Sequence, residues 1–382
     1  MRVMISCGEP SGDLYAGALA AAVRARVPGA EIFGMGGERL QAAGATLVAH
    51  YSGISVTGLT EAVRVLPEAR RVLRRLVVEA TRRRPDVFVA VDFPDFNFRL
   101  MAQLHAMGVP VVYYISPQLW AWRSSRMKTM RRFVKKVLVI FPFEEDLYRN
   151  AGVPVQFVGH PLVDMSMTAV AGHDRKEFLT TLGLRTDAPT VALLPGSRPN
   201  EMRRHVPVLV DAMPLIVARV PTVQFLVAQA PHVADELFMP LRRAGLDCGR
   251  PLVTVRDQAD AVLASANVAI TASGTATVQC AIHRRPMVVI YKLSRLTHAL
   301  LRPFVRVDAA AMPNLVAGAH IVPELIQGDC TPDRVAEEAV ALLIDPEKQA
   351  HMRDALGAVR DRLSLPGATA RAAEAVIAAA IT

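Results

Sequence analysis

The chain has 382 residues, 52% of them hydrophobic and 21% charged, with a net charge of +9 and an isoelectric point near 9.8. At about 150 residues per domain this is enough for two or three domains, each with a core of its own. It excludes low-complexity disorder, a collagen-like repeat and a disulfide-stapled miniprotein. The four cysteines, Cys7, Cys248, Cys280 and Cys330, form no C-x-x-C pair and read as thiols of a reducing compartment, not as zinc ligands. The apolar run after Met1 stops at Gly8-Glu9-Pro10, too soon for a signal peptide. Residues 100–122 carry no Asp, Glu, Lys or Arg, but Gly108, Pro110 and Pro117 break them as a membrane span. A soluble, cytoplasmic protein is expected.

In chain order, short β-branched runs alternate with helical periodicity. The first series of strands is expected at 2–7, 86–91, 111–115, 136–140 and 155–158. The second is expected at 190–194, 223–227, 252–255, 268–271 and 287–291. Such alternation produces a parallel sheet covered on both faces, so the fold class is α/β, with two doubly wound, Rossmann-like domains. The first domain is expected over 1–168, ending where residues 164–175 lose their period, and the second over 169–345. Helices follow at 332–343, 346–363 and after Pro366-Gly367, and residues 346–382 are expected to pack back on the first domain.

The charge is uneven. Residues 1–165 hold 21 Lys and Arg against 14 Asp and Glu, and the remainder 23 against 21. The excess in the first half fits an anionic partner there. Between Asp95 and Glu144 no acidic residue occurs, and this gap holds both tryptophans, Trp120 and Trp122, followed by a basic run to Lys136. It reads either as a functional surface or as a solvated helix face beside packed aromatics. Residues 60–84 combine an apolar stripe at helical spacing with eight arginines, which suits either a helix on its own core or docking on an anionic membrane.

Ligands of open α/β sheets bind beyond the carboxyl ends of the strands. After the first strand, residues 8–13 (Gly-Glu-Pro-Ser-Gly-Asp) form a turn feeding a helix from Leu14. It suits an anion or serves as an ordinary connection with Asp13 as N-cap. After residues 86–91 come Asp92 and Asp95 among Phe93, Phe96 and Phe98, where partial burial would raise a carboxyl pKa for general-base work on a hydroxyl. The alternative is a pair of helix caps. In the second half, Gly196, Ser197 and Arg198 follow one strand and Ser273, Gly274, Thr275 and Ala276 another. Two anion-type turns in one domain point to a diphosphate, against the alternative of two structural turns. The sequence lacks G-x-G-x-x-G, G-x-x-x-x-G-K-[ST] and G-x-S-x-G, which disfavours dehydrogenases, P-loop NTPases and α/β-hydrolases. No D-x-D pair suggests a metal-dependent sugar-nucleotide site.

Together, residues 8–13, 91–97, 116–123, 157–161, 194–198, 272–276 and 313–318 resemble the lipid-A-disaccharide synthase family, in family order over nearly the whole chain. The resemblance implies a GT-B fold with two domains facing a central cleft. It further implies inverting, metal-independent transfer from UDP-2,3-diacylglucosamine to the 6-hydroxyl of 2,3-diacylglucosamine 1-phosphate, with no cofactor. Asp95 would be the catalytic base. UDP would meet Gly196, Ser197, Arg198, Ser273, Gly274, Thr275, Ala276, Gln279 and Asn314, and the acceptor sugar Glu9, Ser11, Asp92, Gln118 and Trp120. Gln279 stands where the family commonly has a Glu that accepts both ribose hydroxyls. Enzymes of this kind act peripherally on the cytoplasmic face of the inner membrane, with phospholipid as a partner. Nucleic acid is not expected, and a homodimer is left open. The rivals are another GT-B enzyme, such as a lipid-linked GlcNAc transferase or a UDP-GlcNAc 2-epimerase, and a basic nucleic-acid-binding protein.

Overall fold

The computed structural model describes all residues except 55–58, 118, 120–125, 294–308 and 382, and no side chains between 59 and 64. The chain divides into two compact units. The first takes residues 1–161 and 365–381, and the second takes 162–293 and 309–364.

The first unit is built on a seven-stranded, wholly parallel sheet: β1 (Arg2–Cys7), β2 (Glu31–Gly36), β3 (Thr46–His50), β4 (Val87–Val91), β5 (Val111–Tyr114), β6 (Lys136–Val139) and β7 (Val155–Phe157). Their order is 3-2-1-4-5-6-7. The sequence Val-Phe-Val-Ala-Val of β4 is buried at every position, as a strand covered on both faces requires. Helix Leu59–Arg83 packs Val72, Leu76 and Ala80 on this core, with Ala69, Leu73 and Val77 beside them, so over this span its apolar stripe faces inward. Helix Ala368–Ile381 returns from the chain end to pack on helix Pro10–Arg26, β4 and β5. Arg371 fixes the return by donating to the carbonyls of Val158 (2.7 Å) and Pro366 (2.5 Å).

The second unit has a six-stranded parallel sheet of β8 (Thr190–Leu194), β9 (Gln224–Gln229), β10 (Leu252–Arg256), β11 (Val268–Ala272), β12 (Met287–Tyr291) and β13 (Glu324–Ile326), in the order 10-9-8-11-12-13. This is the same doubly wound order of the first six strands of the first unit. Helix Pro161–Ala169 opens the unit within the stretch that shows no period in the sequence. Helix Pro346–Leu363 belongs here too, packed on helices Thr275–Ile282, Met312–Ala317 and Pro332–Ile344, and among the described helices after β7 only Ala368–Ile381 returns to the first unit. The division therefore falls at 161/162, not at 168. Residues 346–363 stay with the second sheet because Met352, Leu356 and Val359 are buried there. Among the described residues no helix is long and apolar enough to cross a membrane.

One buried titratable group marks the first unit. His160 is 2% exposed, with its ring edge-on to Phe141 (5.3 Å) and Tyr15 (6.1 Å). Burial pushes its pKa down to about 3. The unfolded chain binds a proton near pH 6.5 and the folded chain does not, so this contribution is intact above 6.5 and is lost as pH falls towards 3. Between pH 7 and 5 the loss is about 2 kcal/mol. The variant His160→Gln should lose correspondingly less stability over that interval in urea unfolding. Equal losses would show that His160 is not held neutral.

Candidate active site

In the strand order 3-2-1-4 the chain leaves adjacent strands towards opposite faces, and a crevice opens beyond their carboxyl ends. Each unit has one such point, at β1/β4 and at β8/β11. All four glycine- or carboxylate-bearing turns singled out in the sequence lie there.

In the first unit, helix Pro10–Arg26 begins directly after β1, with Glu9 as its N-cap and Ser11 in its first turn. Asp13 does not cap this helix. It is 2% exposed, and its carboxylate accepts the N–H groups of Gly37 (2.7 Å), Arg39 (2.9 Å) and Leu40 (3.2 Å), capping the helix that follows β2. Beyond β4, Asp92 and Phe93 both have left-handed backbone, with φ of 44° and 50°. Each such non-glycine residue costs on the order of 1 kcal/mol and persists where its surroundings over-determine it. Here Asn97, fully buried, donates to the carbonyls of Asp92 (2.7 Å) and Ser6 (3.1 Å) and accepts the Ser6 hydroxyl (2.7 Å). Tyr113 adds a second bond to the Asp92 carbonyl (2.8 Å). The bend turns helix Pro94–Ala106 so that Asp95 sits in its first turn.

Asp95 is not half-buried as expected. Its side chain is 64% exposed and ion-paired with Arg126, whose guanidinium lies 4.9 Å from the Phe98 ring centroid. Asp92 is the half-buried carboxylate of the two. Gln118 and Trp120 lie outside the described residues.

In the second unit, β8 and β11 pair directly, so their turns are neighbours. Residues 195–198 lead into helix Pro199–Arg219, and Gly274 is the N-cap of helix Thr275–Ile282, with Thr275 and Ala276 in its first turn. Neither helix start is capped by a side chain of its N-cap residue. The N-terminal amides of such helices favour an anion. Ser273 is turned towards its own fold, donating its hydroxyl to the Ala310 carbonyl (2.9 Å).

Asn314 is placed differently from its expected role. It is 2% exposed, and its Nδ2 donates to the Val322 carbonyl (3.0 Å) and to Glu324 (2.7 Å). Its Oδ1 accepts the N–H groups of Ile321 (2.8 Å) and Val322 (2.9 Å). All four of its hydrogen-bonding positions are taken, so its side chain pins the loop before β13 and has no capacity left for UDP. Gln279 donates Nε2 to Asp260 (3.3 Å), which also bonds His283 (2.9 Å). The Asp260 carboxyl is held below its ordinary pKa against the opposing effect of burial, by its hydrogen bonds to His283 and Gln279 among others. A carboxylate thus stands beside the neutral Gln279.

Sequence reasoning missed the residues that hold these turns, Asn97, Glu201, His205 and Glu324, and Asp260, which bonds Gln279. Asn97 closes one of the motifs and Glu201 lies just past another, three or four residues beyond a turn, at the spacing from which a helix side chain reaches back to its own start. His205 stands one turn further along the helix that follows residues 195–198, and Asp260 and Glu324 come from separate segments with no local signal. Among the described residues no three His, Cys, Asp or Glu side chains come together to hold a metal ion.

Two doubly wound sheets, each with its motif turns at the switch point, make up the GT-B fold. The fold is shared with the UDP-GlcNAc 2-epimerase from Neisseria meningitidis bound to UDP-GlcNAc (TM-score 0.70, 10% identity, 99% of this chain and 100% of that one). It is shared too with the glycotransferase of kitacinnamycin (TM-score 0.65, 20% identity, 99% and 98%). At these identities the likeness concerns the fold alone. Residues 3–379 match the family model described as lipid-A-disaccharide synthetase. The lipid-A-disaccharide synthases of Myxococcus xanthus and Syntrophus aciditrophicus are each 42% identical, over 98% and 97% of this chain and 97% and 96% of theirs. The chain belongs to the lipid-A-disaccharide synthase family.

Replacing Asn97 by Ala leaves the Asp92–Phe93 bend without its inner support and strands the buried Ser6 hydroxyl. A destabilisation of about 2–3 kcal/mol is expected in denaturant titration. Turnover should also fall by more than the loss of folded protein accounts for. A variant as stable and active as the parent would show that the bend holds without Asn97.

Proposed function

We propose that the chain condenses UDP-2,3-diacylglucosamine with 2,3-diacylglucosamine 1-phosphate, giving the β-1,6-linked disaccharide 1-phosphate and UDP. The observation that carries this reading is the family's set of turns at the two switch points, in a chain 42% identical to its relatives over almost its full length. The acceptor 6-hydroxyl gives its proton to Asp95 as its oxygen attacks the donor anomeric carbon from the face opposite UDP, which inverts that centre. The exposure of Asp95 supports this, since a base must reach the proton it takes. As the bond to UDP breaks, negative charge grows on the diphosphate. In this reading Arg198 and the amides at the start of helix Thr275–Ile282 supply the positive charge that meets it.

The basic first half is proposed to bind the anionic surface of the inner membrane from the cytoplasmic side. With the apolar stripe of helix Leu59–Arg83 packed inward over 69–80, its outward face carries exposed Arg70, Arg71, Arg74, Arg75 and Arg82 around Val78, which is 64% exposed. Binding is therefore electrostatic in the main, with about 1 kcal/mol per cation near the surface. Replacing Arg70 and Arg74 together by Glu should abolish most sedimentation with phosphatidylglycerol vesicles at physiological salt. Undiminished binding would place the lipid contact elsewhere.

The decisive experiment is mass spectrometry of the products formed from the two proposed substrates; no disaccharide from folded protein overturns the assignment. Under saturating substrates Asp95→Asn should lower kcat by roughly 10²- to 10⁴-fold. Turnover within a few-fold of the parent would remove Asp95 as the base and direct attention to Asp92.

A further inference from the structure

The loop over residues 195–198 is fixed by side chains that no reading of the reaction has used. Glu201, in the first turn of helix Pro199–Arg219, spreads its carboxylate over the loop. Its Oε2 accepts the Ser197 N–H (3.2 Å) and its Oε1 accepts from Nη1 of Arg198 (2.9 Å). Its side chain is 16% exposed, against 34% for Arg198. The same carboxylate explains Gly196. With φ of +135°, a Cβ there would lie 2.8 Å from Glu201 Oε2 and 2.9 Å from Glu201 Cβ, so no side chain fits.

The main chain around this contact is held independently. One turn further along the helix, buried His205 places Nδ1 2.7 Å from the Pro195 carbonyl, and its Nε2 accepts the Lys292 N–H (3.0 Å). The bond from Lys292 requires Nε2 to be unprotonated, so Nδ1 carries the hydrogen, and burial accordingly lowers the pKa of this ring. On the other side His232 Nε2 lies 2.8 Å from the Ser197 carbonyl. With the backbone pinned at Pro195 and Ser197, the long side chain of Arg198 is what remains to be ordered. Such a side chain carries about 2 kcal/mol of rotamer entropy.

We propose that Glu201 is a positioning residue: it sets the plane of the Arg198 guanidinium and the direction of the Ser197 amide towards the diphosphate of the donor. This rests on the reading that the second unit takes a nucleoside diphosphate. A guanidinium carries five donors in one plane, so a carboxylate bonded through one nitrogen orients the whole fork that a phosphate meets. Glu201 acts through Arg198 and does not itself touch the substrate.

The test uses the full chain, with UDP binding followed by calorimetry and uridine binding by saturation-transfer NMR. Glu201→Ala should weaken UDP by roughly 10- to 100-fold, the worth of a charge-assisted hydrogen bond, and leave uridine unchanged. Glu201→Gln, which keeps one acceptor oxygen, should recover part of the loss and serves in place of the alanine variant if that fails to fold. In an Arg198→Ala background, Glu201→Ala should change UDP affinity by no more than about twofold, because the residue through which it acts is gone. An equal loss in both backgrounds, or a matching loss for uridine, would make Glu201 a mere helix cap and overturn the proposal. So would unchanged UDP affinity in the single variant. Failure of the parent protein to bind UDP would instead refute the donor reading itself.

Discussion

A parallel sheet aims every strand's carboxyl end the same way, and the constraint that organises this molecule is what happens where the winding reverses. At β1/β4 and again at β8/β11 the connections part to opposite faces, so the ends of two adjacent strands are left without a crossing segment above them. Backbone amides, first helical turns and short polar side chains collect there because nothing else can occupy the space. In the proposed reaction the two substrates would thereby meet groups on different sheets: a carboxylate beyond β4, and an arginine with helix-start amides beyond β8 and β11. The strand order repeats in both units, so under that proposal one winding would serve proton removal in the first and charge stabilisation in the second.

The turns themselves depend on polar side chains used against the protein's own backbone. Asp13 holds the amides after β2, Asn97 the carbonyl of Asp92, Glu201 the amide of Ser197, and Asn314 with Glu324 the loop ahead of β13. Each bridges groups that a turn would otherwise leave unpaired in a partly buried place, where a missing partner costs about 1–3 kcal/mol. A polar residue within a motif is therefore as apt to support the turn as to face the substrate. Asn314 and Asp95 mark the contrast: one saturated and buried, the other exposed beside Arg126 and proposed to meet the acceptor.

Ten of the thirteen described strands were legible because β-branched, largely apolar runs mark them, most of them buried on both faces. The three that escaped have local reasons. In β2 the run Glu-Ile-Phe-Gly-Met-Gly is diluted by glycine, and Gly34 is needed because a side chain there would run into the Ile5 carbonyl of β1. The edge strand β3 is only partly buried and ends in a histidine, and β13 has three residues. The C-terminal helices were legible almost to the residue, since prolines open two of them and a Pro-Gly pair precedes the third. The site was legible as turns. Burial within it was not, because whether Asp92 or Asp95 faces solvent depends on a left-handed bend that Asn97 imposes from beneath. Nor was the partnership of Gln279 with Asp260, which joins residues nineteen positions apart across two helices.

The return of helix Ala368–Ile381 to the first sheet has a bearing on how the protein comes into being. That helix covers β4, β5 and helix Pro10–Arg26, yet it is synthesised only after the whole of the second unit. Until then the first unit stands with an apolar strip uncovered while the whole of the second unit is being made. Domains generally fold as units in order of synthesis, and exposed apolar surface at that stage invites association with other chains. This chain cannot follow that order completely. Its first unit is begun before the second and completed only after it, and loss of this one helix leaves the first sheet unsealed.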